Sequence, residues 1–400
     1  MVDWRPALPL LCISAYLILE ELIAAPSCTV SPSGSHVATN PNGVKVMIVS
    51  DLLLKGPDAG YFDTVFRYTF ISRFFRRSYE KLEPDMLVVL GDIAAKGAEL
   101  GESGWSAVLR QFYRLIGPFG EIPLVAGLGE RDVGECCELD EELVGQIASK
   151  LPGLDRTGCA AFEFENVSFV VMNAVALLCR ENALRFGVEK LIESESFDLR
   201  TQVTASHGEV RGSDELIQHD SRFASLESDL PAGSGPIILL HFPLHHALVE
   251  NHRRNDIRCN RQSCEYDSSA HSGHSAIIEV VPYDLRQTLP VNETEYILQS
   301  LRPRLVISGH AHHYHEYNLS DGTREVIVPS MAWASSGKPG FVLVNLGEKN
   351  NIGVSHCSLA QEVHVLMAYL SIFALFLAVM LLLRGFNCNQ FGLLILYFNH

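Results

Sequence analysis

Four apolar runs in this chain stop abruptly at an acid or an imidazole, and that repetition constrains the fold more than any figure of composition. Val46-Met47-Ile48-Val49 runs into Ser50-Asp51, and Met86-Leu87-Val88-Val89-Leu90 into Gly91-Asp92. Leu239-Leu240 meets His241, and Leu305-Val306-Ile307 meets Ser308-Gly309-His310. Short runs with no polar residue read as buried strands, and the chemistry at their ends falls on loops that those strands hold rigidly.

The pattern around these runs alternates. A strand from Val44 to Ser50 is followed by an amphipathic helix over Asp63–Leu82, a strand at Met86–Leu90, a helix around Trp105–Ile116 and a strand at Ile122–Ala126. Such alternation implies an α/β sheet with functional loops at the carboxyl ends of its strands, where Asp51, Asp92 and Glu130 all sit. Two short strands are expected within Phe162–Met172, around the turn Glu165-Asn166, and the polar residues 180–235 are not resolved into elements. Strands at Pro236–Leu240, Leu305–Ser308, Glu325–Val328 and Phe341–Val344 are expected to form a second sheet facing the first. The fold class is therefore α/β, with two facing mixed β-sheets flanked by helices. An irregular insertion from His245 to Pro290, rich in His, Arg, Asn and Ser, is expected to overhang the loop edge.

The chain ends are of another kind. Residues 363–383 lack any Asp, Glu, Lys or Arg, and at about 1.5 Å per residue they reach across a hydrocarbon core of about 30 Å. They are read as a transmembrane helix, with Arg384 as its cytoplasmic anchor. Residues 1–26 are read as a signal anchor or a cleaved signal peptide, 27–43 as a Ser-, Pro-, Gly- and Asn-rich linker, 44–358 as a lumenal domain and 384–400 as a short tail. Tripeptides for N-glycosylation at Asn166, Asn292 and Asn318 agree with a lumenal placement. So does an even number of cysteines there, eight of the ten, with Cys259 and Cys264 the expected local loop and buried thiols the alternative for the rest. A formal charge of −16 argues against nucleic acid as a partner. The basic stretch Arg73-Phe74-Phe75-Arg76-Arg77 reads as the solvated face of a helix.

Two divalent ions about 3.5–4 Å apart, held by carboxylates and imidazoles, polarise a phosphoryl oxygen and activate water for in-line attack. Asp92 has the place of the carboxylate bridging such a pair. His310 and His312 are two apart, so an extended segment puts both on one side, one facing each ion. His245, His246, His271 and His274 read as loop residues, and His315, just after the last block, is not assigned to the site.

The ordered blocks resemble the calcineurin-like metallophosphoesterases, whose motifs read Asp-x-His, Gly-Asp, Gly-Asn-His-Asp, His and Gly-His-x-His. That resemblance implies Asp51, Asp92 and His312 at a first metal, and Asp92, Glu130, His241 and His310 at a second. Manganese is the implied metal, with zinc and iron as alternatives. Within the superfamily the chain is similar to the membrane-anchored branch that remodels glycosylphosphatidylinositol (GPI) anchors by removing ethanolamine phosphate from a mannose. The similarity rests on His241-Phe242-Pro243-Leu244, on Leu301-Arg302-Pro303-Arg304 through Gly309-His310, on Val328-Pro329-Ser330-Met331-Ala332-Trp333, and on the Cys357 segment leading into the terminal span. It implies a multi-pass protein of the ER or Golgi membrane whose N-terminal span is an anchor, acting on a lipid-linked phosphodiester.

Two positions depart from the motifs. Leu53 stands where the first block has histidine, which puts occupancy of the first site in doubt, and Gly-Asn-His-Asp reads Gly129-Glu130-Arg131-Asp132. Glu130 supplies an oxygen donor, whereas Arg131 cannot give up a proton near neutral pH. Arg131 is assigned here to phosphoryl charge, with Asp132 as its pair, and both are taken as catalytic. The competing reading is a pseudophosphoesterase that keeps the fold to bind GPI-anchored cargo or a cargo receptor.

Overall fold

The computed structural model of the chain describes residues 7–30, 43–135, 139–179, 182–208, 233–246, 288–319, 321–333, 335, 337–347 and 352–397. Its strands are β1 (Ser27–Val30), β2 (Val44–Val49), β3 (Met86–Val89), β4 (Leu124–Ala126), β5 (Ala160–Phe164), β6 (Val167–Met172), β7 (Ile237–Leu240), β8 (Leu305–Ser308), β9 (His315–Asn318), β10 (Arg324–Ile327), β11 (Gly340–Leu346) and β12 (Ile352–Ser358). The helices are α1 (Ala7–Ala24), α2 (Tyr68–Leu82), α3 (Glu102–Leu115), α4 (Glu130–Val133), α5 (Glu141–Ala148), α6 (Ala174–Leu178), α7 (Ala183–Gly208), α8 (Val291–Leu301) and α9 (Glu362–Tyr397). A π-helical turn, Asp63–Arg67, leads into α2.

Two six-stranded mixed sheets result, in the orders β1-β12-β11-β2-β3-β4 and β5-β6-β7-β8-β10-β9. Side chains alternate across each strand, so an unbroken apolar run must find apolar partners on both sides. Val46, Ile48, Met86 and Val88 meet Phe169, Val171, Ile237, Leu239, Leu305 and Ile307 between the sheets. Met47, Val49, Leu87 and Val89 belong instead to the core shared with Phe70, Phe74 and Phe75 of α2 and with Val108 and Phe112 of α3. Each such side chain, fully buried, contributes about 1.5–3 kcal/mol.

Phe341–Val344 departs from expectation. It lies within β11, in the first sheet, antiparallel to β2 with Leu343 opposite Met47. A strand apolar on both faces satisfies either sheet, so its periodicity does not name its neighbour. The start of the expected linker also differs, since Ser27–Val30 pairs with β12 as an edge strand and Cys28 is disulfide-bonded to Cys357. The basic stretch is more than a solvated face. Phe74 and Phe75 are buried in the core, while Arg73 and Arg77 form ion pairs with Glu20 and Glu21 of α1. The insertion lies for the most part, at 247–287, outside the described residues, as do Cys259 and Cys264.

Among the described residues one helix is long and apolar enough to cross a membrane, over Glu362–Leu381. The N-terminal span is not shown by that measure. α1 nonetheless packs along α9, with the Tyr16 and Tyr369 rings 5.8 Å apart and the Tyr369 hydroxyl donating to Glu20 at 2.6 Å.

Phe74 is fully buried against Phe70 and Trp333, with ring centroids 6.0 and 5.7 Å away. Phe74→Ala is expected to cost about 3–5 kcal/mol, read as a lower urea midpoint at unchanged slope.

Candidate metal centre

The loops after β2, β3, β4, β7 and β8 meet at one edge of the paired sheets, and backbone hydrogen bonds lace them together. Asp51 N–H donates to Gly91 O at 3.2 Å, Leu53 N–H to Asp92 O at 3.0 Å, and Gly309 N–H to His241 O at 2.9 Å. Lacing of this kind forces turns that ordinary residues avoid. Asp51, Leu53, Asp92, His310 and His312 all take positive φ, between 50° and 63°. Asp and His tolerate this region better than most residues, and a Leu there is a true outlier. The loops also need small residues at their contacts: a Cβ on Gly129 would lie 2.1 Å from Asp92 Oδ1, and one on Gly309 2.1 Å from Ser50 Oγ.

The polar groups converge. His241 Nε2 lies 2.9 Å from Glu130 Oε2 and 3.5 Å from Asp92 Oδ2, and His310 Nδ1 lies 3.0 Å from Glu130 Oε1. His312 Nε2 is 3.4 Å from Asp51 Oδ1. His310 and His312 thus face different acids, and they do so from two left-handed turns rather than from the extended segment expected. Two groups have ligand atoms within 4.8 Å of one another, Glu130–His241–His310 and Asp51–Asp92–His241.

These approaches lack hydrogen-bond geometry. Asp51 Oδ1 and Oδ2, Asp92 Oδ2, Glu130 Oε2, and both ring nitrogens of His241 and His310 are buried with no hydrogen-bond partner. Orphaned buried polar atoms are costly and rare, and so many at one point fit a cation that takes their lone pairs. The donor set of carboxylates and imidazoles suits Mn, Fe or Zn.

Electrostatics agree. Burial pushes the His241 imidazole down in pKa, but the Asp92 and Glu130 carboxylates more than reverse this and hold it well above the usual value. Asp132 is raised to about 7 by burial and by the neighbouring Asp92 charge. It is not paired with Arg131. Its Oδ1 accepts from Ala94 N–H at 2.8 Å and its Oδ2 from Gly129 N–H at 3.1 Å, so it joins the β3 and β4 loops from beneath. Fully buried, it positions the site and is out of reach of a substrate. Arg131 turns to Asp92 instead: its backbone N–H donates to Oδ1 at 3.0 Å, and its half-exposed guanidinium brings Nε to 3.4 Å from Oδ2. Leu53 is only partly buried and offers no ligand.

Sequence reasoning missed Glu325. Fully buried on β10, it accepts from Ser308 Oγ at 2.7 Å and from Leu244 N–H at 3.0 Å, tying together the loops that carry His310 and His241. His246, read as a loop residue, is buried with Nε2 2.9 Å from Glu325 Oε2. The available signal was an acid directly heading the apolar run Val326-Ile327-Val328 in an expected strand. Ser330, marked only as part of the Val328–Trp333 motif, also serves the site, since its hydroxyl donates to Asp51 O at 3.0 Å.

With this geometry in place, residues 44–314 match the pattern of the family described as Calcineurin-like phosphoesterase. The chain belongs to that family. Metal-dependent hydrolysis of phosphoric esters is the chemistry of the family, and the residues gathered here fit divalent cations. The chain is similar to Metallophosphoesterase 1 of Rattus norvegicus, 27% identical over 347 residues that cover 85% of this chain and 77% of that protein. It is 26% identical over 334 residues to the Mus musculus protein of the same name, covering 82% and 74%. A solved dimetal phosphatase from Danio rerio aligns with a TM-score of 0.41 at 11% identity, over 76% of this chain and 93% of that one.

Two outcomes follow from the packing and the charges. Gly129→Ala displaces Asp92 and is expected to weaken Mn binding about 10–100-fold in isothermal titration, with the fold intact by circular dichroism. His241 must lose its proton before it can ligate, so Mn uptake is expected to release protons and to weaken as pH falls. Binding enthalpies that do not change between buffers of different ionisation heat would contradict this.

Proposed function

We propose that this chain is a membrane-anchored, lumenal phosphoesterase of GPI-anchor remodelling, removing ethanolamine phosphate from a GPI mannose. The observation that carries the proposal is the convergence of Asp51, Asp92, Glu130, His241, His310 and His312 at one sheet edge of a chain that continues directly into the apolar α9. The GPI substrate is supported by the motif similarities around His241, His310 and Trp333. A lumenal ER or Golgi location is supported by the Cys28–Cys357 disulfide and by the exposure of Asn166, Asn292 and Asn318. α1, lying along α9, is the second anchor.

Divalent cations, manganese by preference, supply Lewis acidity and water activation when bound. Asp92 reaches both ligand groups, through His241 and through Asp51. Glu130, His241 and His310 form the tighter set. Arg131, at the rim, offers a fixed positive charge to the phosphoryl oxygens. It cannot donate a proton to the leaving alcohol.

A second reading has its own observation. Leu53 withholds a ligand from the Asp51 side, and the Arg131 guanidinium already approaches Asp92 there. Both favour a scaffold that binds GPI-anchored cargo or a cargo receptor without turning it over.

The full chain, loaded with Mn and given a GPI that bears ethanolamine phosphate on its second mannose, is expected to release that group, as seen by mass spectrometry. Leu53→His combined with Arg131→His is expected to raise the rate. Metal analysis separates the readings: retained metal with no hydrolysis of any phosphodiester, and no gain in the double variant, leaves the cargo-binding role.

A further inference from the structure

The turn preceding α2 exposes an apolar cluster with no evident use inside the domain. Tyr61 is 84% exposed, Phe62 47% and Val65 51%, all on one stretch of the Asp63–Arg67 π-helical turn and its approach. Arg67 fixes where this cluster lies. Its Nε and Nη2 donate to Glu362 Oε1 and Oε2, at 2.7 and 3.0 Å, while its guanidinium sits 5.5 Å from the centre of the Phe62 ring. Glu362 is the first residue of α9, and the exposed apolar surface of that helix begins at Val363. The cluster therefore lies beside the first residue of the apolar helix, at the level where its apolar length starts.

The same turn leads to the metal centre. Phe66 stacks 4.9 Å from Phe62 on one side and lies 5.5 Å from Trp333 on the other. Trp333 Nε1 donates to Ala360 O at 2.8 Å, just before α9. Its neighbours Ala332 and Ser330 both donate to Asp51 O, at 3.2 and 3.0 Å. Strand register gives an upper bound on the distance involved. Ser358 pairs with Gly340, which bonds to Ser330 opposite Ser50, so Ser358 lies level with the metal loops, three strand spacings away. Three spacings of about 4.8 Å, four residues of at most about 3.5 Å each and the step from Ser50 put Asp51 within roughly 32 Å of the start of α9.

Resting on the membrane-anchor reading, we propose that Tyr61, Phe62 and Val65 seat in the interfacial layer of the bilayer that α9 enters. The metal centre then stands over that same bilayer and takes phosphoesters carried by molecules embedded in it. An aromatic and aliphatic cluster beside a helix entry, with an arginine between them, is the composition that partitions to the headgroup boundary. A soluble phosphoester would draw no advantage from this placement, whereas one borne on a lipid is held within reach by its own anchor.

The test places p-benzoylphenylalanine singly at Phe62, Val65, Phe373 or Phe197 in the full chain, reconstituted in phosphatidylcholine nanodiscs and irradiated. Phe373 reports on α9 itself, and Phe197 is an exposed site on α7, which packs against α8. Lipid adducts at Phe62, Val65 and Phe373, with their loss at Phe197, are expected. Adducts at Phe373 with none at Phe62 and Val65 overturn the inference and leave the anchor standing. No adduct at Phe373 removes the anchor and the inference with it.

Discussion

Three carboxylates, the buried Asp51 and Asp92 and the partly buried Glu130, are held within a few ångströms of shared imidazoles, and the domain is arranged around keeping them there. Such groups repel one another and lose hydration, so local sequence cannot hold them. The restraint comes from below, from strands whose two faces are locked between a second sheet and a helix layer. It comes also from the side, through backbone bonds from loop to loop and through Asp132 and Glu325, whose carboxylates bind neighbouring loops. The left-handed residues at the edge are the visible cost of that restraint.

Much of this was legible in the chain. β2 from Val46, β3, β7 and β8 as far as Ile307 announce themselves because burial on both faces removes every polar residue from the run, and the ligand-bearing loops follow at their ends. What periodicity leaves out is the identity of neighbours: β11 is apolar on both faces and fits either sheet, and β1 becomes a strand only because β12, more than 300 residues later, offers an edge and a cysteine. Residues that act by hydrogen-bonding a distant loop are equally silent. Asp132 looked like a partner for the adjacent Arg131, yet its carboxylate is consumed by two amides beneath the site. Glu325 carried no motif at all.

Leu53 and Arg131 change the balance of charge in a directed way. Leu53 offers no ligand on the Asp51 side, and a permanent cation stands 3.4 Å from the acid between the two ligand groups. The Glu130–His241–His310 side keeps its donors intact and close. The asymmetry lies in side chains alone, since Leu53 still takes the left-handed turn and still bonds to Asp92 O.

The bond between Cys28 and Cys357 spans 329 positions and closes almost the whole domain into a covalent ring. A ring has no free end between those two sulfurs, so a protease that severs one peptide link within it opens the loop without yielding fragments. Until that bridge is reduced, a singly nicked molecule stays one body, and α1 and α9 remain leashed to each other wherever they travel.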